Sequence, residues 1–487
     1  MPAMNTHAAS HPPKHVHLIA ICGTGMGSLA GMLKASGYHV SGSDQNVYPP
    51  MSTWLTEQGI VPYSGFAPAH LDGADLVIVG NAVSKTNPEV VAMLDRGVPY
   101  RSFPQALAEF FIRDRHSLVV AGTHGKTTTT ALLAWALTSA GRDPGAMIGG
   151  WAKNFDGNFR VGGGNFVAVE GDEYDTAFFD KGPKFLHYRP RTAILTSIEF
   201  DHADIYRDLA HVVSAFERFV DLIPRDGLLI AAAGDDTVAR VARRSAGRVE
   251  TYGFGAGSDW SAENLLAREG GVSFDVRRAG ARFGRFDVPL IGRHNALNSL
   301  AVIAAAHGAG LNAEEIAEGF RTFRGIKRRQ DVIGVANDVV VIDDFAHHPT
   351  AIRETLAAVK MGYPARRLWA IFEPRSATSR RAVFQTQFAE AFDLADHVVI
   401  AEPFASDKLP PDQRLDARRL VDDLGRRGVQ AACLPTADDI VRAVAPQLQS
   451  GDVVCVMSSG GFDNIHAKLL AALRAADARS LPTPKSA

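Results

Sequence analysis

The stretch Ala121-Gly-Thr-His-Gly-Lys-Thr-Thr-Thr-Thr130, directly after the apolar run Ser117-Leu-Val-Val120, constrains this chain more than any other. It reads as a buried strand that enters a glycine-bearing turn and then an alanine- and leucine-rich helix. Backbone N–H groups at a helix N-terminus suit a phosphate, a lysine placed there meets the β/γ-phosphates, and the next hydroxyl can hold Mg²⁺. The long form of this loop needs a glycine at position 120, where the chain has Val120. The loop is therefore the shorter G-x-x-G-K-T form: Gly122, Thr123, His124, Gly125, Lys126 and Thr127, with Thr128 behind them. Consecutive β-branched residues are poor helix starters, so the threonine run points to ligand contact.

At 487 residues the chain exceeds one compact core, and about three domains are expected. Its 51 basic and 53 acidic side chains nearly cancel, and no basic block suggests nucleic acid or a membrane surface. The pairs Arg366-Arg367, Arg380-Arg381 and Arg426-Arg427 read as solvated helix faces. Cys22, Cys433 and Cys455 have no metal-ligand or redox spacing and read as small buried residues in a reducing compartment. There is no signal core and no apolar run of about 18 residues, so a cytoplasmic location is expected. Residues 1–14 and 479–487 are expected to be disordered tails.

A strand–turn–helix signal occurs three times. The first unit, expected over 15–113, opens with His17–Ile21, a glycine turn and a helix to Ser36, with further strands at Tyr38–Ser43 and Asp75–Val79. The second, over 114–326, holds the phosphate loop, strands Phe166–Glu170 and Thr192–Ile198, and helices at Ala210–Val220, His294–Gly308 and Ala313–Phe323. The third, over 327–478, alternates helices with strands Val339–Asp343, Arg367–Phe372, His397–Ala401 and Asp452–Met457. This alternation predicts three α/β domains with mainly parallel sheets: a Rossmann-like first, a P-loop ATPase-like centre and a Rossmann-like third.

Four further groups carry chemistry. Gly23, Gly25 and Gly27 resemble a dinucleotide turn with Ser28 in place of the last glycine, and Asp44 lies where a ribose-binding acid is expected. That permits NAD or another nucleotide diphosphate; beside a phosphate loop, a nucleotide-linked substrate is the more economical reading. Glu170, Asp172, Glu173 and Asp175 form either a metal site or a solvated loop, and at a strand end beside the phosphate loop the metal is favoured, with Glu170 as ligand. His202 is either a core or capping histidine or a ligand to a second divalent ion. Asn295 and Asn298 lie three apart on one helical face: Asn295 is an N-cap or a base-recognising amide. Asp343-Asp344 with His347-His348 have the residue types to bind a metal, but no third cluster in the sequence supports this.

AGTHGKTTTT, the Glu170 cluster, Asp201-His202, Gly292-Arg-His-Asn-Ala-Leu-Asn298, Lys327-Arg-Arg329 and Asp343-Asp-Phe-Ala-His-His-Pro349 together resemble the Mur ligase family, in the family's order across almost the whole chain. The resemblance implies ATP-dependent peptide ligation in cell-wall synthesis, with ATP and Mg²⁺. By it, Lys126 holds the β/γ-phosphates, Thr127 and Glu170 one Mg²⁺, and His202 a second. Asn295 and Asn298 lie near the ATP base, and Arg329 and Asp344 close on the nucleotide. The first domain binds the UDP of UDP-N-acetylmuramate through Gly23, Gly25, Gly27, Asp44, Asn81 and Ser84. The second substrate is either the murein tripeptide L-Ala-γ-D-Glu-meso-diaminopimelate or L-alanine. Asn46–Thr53, Asp172–Asp180, Phe185–Arg191, Phe372–Ser376 and Ser459–His466 look like the branch that takes the tripeptide. The helix Val212–Val220 lacks the lysine that some members carbamylate, as in the L-alanine branch. Arg375 is a candidate for a distal carboxylate of the peptide or a plain surface arginine; His347 meets the peptide or buttresses Asp344. No obligate protein partner is expected. A nucleotide sensor that has lost ligation is the reading from another class, and the intact Lys126, Thr127, Glu170 and His202 weigh against it.

Overall fold

The computed structural model describes residues 13–480 except 50 and 269, with the backbone alone for 476–480. Three sheets organise it. The first is five-stranded and parallel, with His15–Ile19 between His39–Asp44 and Leu76–Val79. The chain order reverses across His15–Ile19, so the glycine turn at its C-terminal end lies at a switch point, where open α/β sheets bind ligands. The turn leads into the helix Thr24–Ala35.

The central sheet has ten strands. His116–Ala121 lies between Phe166–Gly171 and Thr192–Leu195, parallel to both, which brings the phosphate loop, Glu170 and the 196–202 segment to one sheet edge. Burial on both faces explains the unbroken apolar run of Leu118–Val120. The helix Lys126–Ser139 packs against the strand Gly145–Ala152 and the helices Arg293–Gly308 and Ala313–Arg321. The sheet continues through Leu228–Ala232, Arg248–Phe254 and Trp260–Arg268, then turns antiparallel at Gly271–Arg278 and Ala281–Val288. The third sheet has six strands; Asp331–Ala336 is antiparallel to Val339–Asp344 and the remaining pairs are parallel.

Several sequence expectations change. The antiparallel strands between 271 and 288, and Asp331–Ala336, lie where no strand was expected: polar residues or glycine interrupt their apolar residues, so none forms a continuous apolar run. Of the cysteines only Cys455 is buried; Cys22 and Cys433 are half-buried. Arg366 and Arg367 lie before a strand and pair with Asp338 and Asp452, and Arg380 and Arg381 lie in a loop, so only Arg426-Arg427 ends a helix. The expected tails fall largely outside the described residues. Lys14 is tied to Asp75 through its backbone N–H, and the last helix, Ile465–Ser480, runs past 479. Among the described residues, no helix is long and apolar enough to cross a membrane.

Candidate active site

A cleft of about 1400 Å³ opens where the three sheets meet, lined from the first domain by Thr24, Met51 and Trp54, from the centre by the phosphate loop, and from the third domain by Asp344 and the 345–348 loop. Gly125 begins the loop's helix at φ +82° and faces Asn298 Oδ1 so closely that a Cβ would lie 2.5 Å from it. Both facts demand glycine. Thr127 and Thr128 line the cleft, whereas Thr129 and Thr130 are fully buried, so only half of the threonine run meets a ligand space.

Thr127 Oγ1 donates to Glu170 Oε1 at 2.8 Å, and Glu170 Oε2 accepts the Gly149 N–H at 2.6 Å. Burial, then repulsion from Asp172, pushes the Glu170 carboxyl above its usual range. A hydroxyl and a buried carboxylate at the cleft wall are the hard oxygen donors Mg²⁺ takes, and a cation there would relieve the Glu170 penalty. The residues present therefore fit that ion.

Lys126 is held by a residue the sequence reading left without a role. Its Nζ donates to Glu173 Oε2 at 2.9 Å and Oε1 at 3.2 Å, and to the Gly122 carbonyl at 2.7 Å. Burial works to lower the Lys126 pKa, but Glu173 and Asp172 reverse it, and the net shift is upward. Glu173 also faces His202 Nε2 at 3.4 Å. Burial would raise the Glu173 carboxyl; Lys126 and His202 outweigh that and hold it down. His202 is likewise raised, because Glu173 and Asp201 overcome its burial. Glu173 is visible in the sequence as one acid of four, but its pairing required the fold.

Asn295 is not an N-cap: the helix is capped at Gly292. Instead Asn295 is buried, its amide donating to the Ile291 carbonyl and to Gln330 Oε1, and its Oδ1 accepting from Asn298. Arg329 reaches Thr127 Oγ1 at 3.2 Å and stacks 4.7 Å from the Phe345 ring; burial lowers its pKa. Asp344 accepts from the backbone N–H of Gln330 and Ala346, and burial raises its carboxyl. His347 does not buttress Asp344: its Nδ1 lies 2.9 Å from the Phe345 carbonyl and its Nε2 is 4.0 Å from Asp201.

The remaining candidates stand outside the cleft lining. Asp44 accepts from the backbone N–H of Cys22 and Asn46, fixing the glycine turn of Gly23, Gly25 and Gly27. Of that turn only Thr24 faces the cleft. Asn81 and Ser84 lie exposed beyond the strand Leu76–Val79. Arg375 pairs with Glu373 at 3.3 Å and stacks 3.8 Å from the Phe404 ring.

A three-domain α/β fold with a phosphate loop facing an arginine and an aspartate at the edge of the third domain defines a nucleotide-dependent group-transfer enzyme. Family models agree in detail: the Mur ligase family catalytic domain matches residues 15–115, the Mur ligase middle domain 120–306, and the Mur ligase glutamate ligase domain 328–460. The chain belongs to the Mur ligase family. It is 40% identical to a Haemophilus influenzae UDP-N-acetylmuramate–L-alanyl-γ-D-glutamyl-meso-2,6-diaminoheptandioate ligase, covering 95% of this chain and 99% of that one. The Escherichia coli protein of the same name is also 40% identical, over 93% and 97%. An Alkaliphilus metalliredigens UDP-N-acetylmuramate–L-alanine ligase is 34% identical, over 95% and 98%. A murein peptide ligase structure from Psychrobacter arcticus superposes with a TM-score of 0.69 at 37% identity, covering 96% of this chain and all of that one. The Thermotoga maritima UDP-N-acetylmuramate–alanine ligase superposes at 0.78 with 26% identity, over 96% and 100%.

Proposed function

We propose that this chain is an ATP-dependent ligase joining UDP-N-acetylmuramate to the tripeptide L-Ala-γ-D-Glu-meso-diaminopimelate in murein recycling. The observation that carries the reading is the meeting of Lys126, Thr127, Glu170, His202, Arg329 and Asp344 around one cleft, in a chain 40% identical end to end to two ligases of that name. The biosynthetic L-alanine ligase is the second reading, supported by a 34% relative of equal coverage. Both nucleotide substrates belong to the cytoplasm, which is where the reaction is placed.

The muramoyl carboxylate attacks the γ-phosphorus of ATP, giving an acyl phosphate and ADP. The free α-amine of the peptide then attacks the acyl carbon, losing a proton as phosphate leaves. Lys126 and Arg329 neutralise the converging anions, and Asn295 and Asn298 face the adenosine side. Thr127 and Glu170 would hold one Mg²⁺ and His202 a second; bound there, the ion supplies charge neutralisation at the phosphates. The third domain covers the cleft and keeps water from the acyl phosphate. Gly23, Gly25, Gly27, Asp44, Asn81 and Ser84 serve the UDP moiety around the first sheet's switch point. His347 faces the incoming peptide, and Arg375 takes its distal carboxylate.

ADP release with UDP-N-acetylmuramate, Mg²⁺ and ATP tests this. Turnover with the tripeptide and little with L-alanine is expected. The opposite preference would assign the biosynthetic reaction, and silence with both would overturn ligation.

A further inference from the structure

One group of side chains in the cleft has rings and a carboxylate to which the phosphate and Mg²⁺ assignments give no contact of their own, although His124 belongs to the phosphate loop. His124 comes from the phosphate loop, Glu199 from the segment after the strand Thr192–Leu195, and His348 from the third domain. His124 Nε2 lies 3.5 Å from Glu199 Oε2, and His348 Nδ1 lies 3.7 Å from that same oxygen. The three atoms all fall within 4.8 Å of one another. Two donors bound about 2.1 Å from a tetrahedral ion stand about 3.4 Å apart. The two edges to Glu199 are thus within a few tenths of an ångström of a ligand triangle and the third is no longer than 4.8 Å, while both edges to Glu199 are too long for good hydrogen bonds.

The surroundings prepare these atoms as ligands. His348 Nε2 lies 3.2 Å from the Phe200 carbonyl, and its Nδ1 accepts a long 3.3 Å bond from the Thr350 N–H. Together these fix the tautomer with the proton on Nε2; the Nδ1 lone pair accepts only the long Thr350 contact, which a metal ion would replace. A ligating imidazole characteristically has its other nitrogen tied to a carbonyl in this way. Glu199 is oriented by the Thr350 hydroxyl at 2.7 Å. His124 Nε2 is buried and has no hydrogen-bond partner. Burial holds His348 neutral, with a pKa of about 4, and Glu199 is held ionised at about 2 because His124 and Thr350 outweigh its burial. Those are the protonation states of metal ligands.

We propose that His124, Glu199 and His348 form a binding site for one divalent transition-metal ion of the Zn²⁺ class, separate from the Mg²⁺ position at Thr127 and Glu170. Two imidazole nitrogens select against Mg²⁺, which prefers oxygen. Two ligands belong to the central domain and one to the third, so the ion ties those domains together. It takes His124 out of the phosphate loop's free set and slows the reopening that releases product. Zn²⁺ therefore inhibits turnover at saturating Mg²⁺.

The probe is Co²⁺, titrated into the full-length protein in excess Mg²⁺ and followed by its visible absorption. One equivalent of nitrogen-bound Co²⁺ is expected, displaced by Zn²⁺ and not by more Mg²⁺. His348→Ala and Glu199→Gln should each weaken it at least about tenfold, while Glu170→Gln retains it. The two variants lie in different domains, so if one fails to fold the other still reads the site; thermal unfolding without metal checks each. The assignment is overturned if wild type binds no stoichiometric Co²⁺, if binding survives in the folded His348→Ala and Glu199→Gln proteins, or if only Glu170→Gln abolishes it.

Discussion

Replacing Glu173 by Gln tests the pairing that holds the phosphate-loop lysine. Glu173 is 3% exposed and Lys126 11%, with Nζ 2.9 Å from the nearer carboxylate oxygen. At that separation and an effective dielectric near 20, the direct attraction is about 5–6 kcal/mol. Removing one partner of a buried pair costs about 3–5 kcal/mol, because the other charge stays behind. Lys126 keeps the Gly122 carbonyl at 2.7 Å, so the lower end, about 3 kcal/mol, is expected. Global unfolding of a three-domain chain is not one transition, so the readout is hydrogen exchange of 116–139. About 3 kcal/mol corresponds to a loss of protection of about a hundredfold. ATP phosphates supply the missing anion, so saturating ATP should shrink the difference to below about 1 kcal/mol. The pH sign follows from the two directions. The depressed Glu173 carboxyl contributes fully above its ordinary 4.5 and loses its contribution as pH falls through the lower folded value. The raised Lys126 contributes below its ordinary 10.5 and loses it as pH rises through the higher folded value. Glu173 also raises His202, whose share is present below its ordinary 6.5 and lost as pH rises through the higher folded value, so the gap between wild type and variant should shrink on that rise and close again in acid. Equal loss with and without ATP would refute the reasoning, as would no loss at all.

Gly125→Ala should weaken ATP binding at least about tenfold, since it adds left-handed strain of about 1–2 kcal/mol and a Cβ 2.5 Å from Asn298 Oδ1; calorimetric titration with an ATP analogue measures it. Arg375→Ala should raise the tripeptide KM about tenfold with kcat little changed, and an unchanged KM would remove its carboxylate role. Glu89 is fully buried in the first domain beside His17 at 3.6 Å and hydrogen-bonded by Ser43 and His70, and these neighbours outweigh burial and hold its carboxyl low. Its contribution is therefore present above its ordinary 4.5 and lost as pH falls through the folded value, and Glu89→Gln should flatten that acid loss in exchange measurements on 15–102.

What was legible in the sequence was local. The phosphate loop, Glu170 and Asp201-His202 each sit in a short segment that ends a buried strand, so parallel pairing alone carries them to one edge. Asn295 and Asn298 share a helical face, and the helix period suffices to pair them. Illegible were contacts between segments remote in the chain. Glu173 looks like its three acidic neighbours until Lys126 is placed beside it. His348 reads as a partner of Asp343 and Asp344 by proximity, yet the strand end turns its ring across the cleft to Glu199 and His124. Asp44 fits a ribose by spacing, and only the fold shows that its carboxylate also accepts two backbone N–H groups at the turn.

The packing also says which junction gives way when the cleft opens. The first domain and the centre share one apolar cluster, which runs from Leu18 and Phe103 through Val119 and Phe185 to Phe216. The Trp54 ring meets Phe159 edge-on across that junction. Separating these two would expose a continuous core. The third domain has its own apolar layers on the two faces of its sheet, and the centre contributes to them only Ile291 and the partly buried Phe200. Most of its other ties are polar and single, among them Asn295 to Gln330, Arg329 to Thr127, Thr350 to Glu199, His348 to the Phe200 carbonyl, Lys153 to Asp331 and Thr378 to the Ala203 N–H. Each is worth about 1 kcal/mol net, because water replaces it on opening. The linker itself is anchored as far as Lys327, whose N–H donates to the Trp151 carbonyl, and the backbone turns left-handed at Arg328 and Gln330 just beyond. The packing therefore predicts that the first two domains stay together and that any opening occurs from 328 onward, carrying Arg329, Asp344 and His348 out of the cleft together.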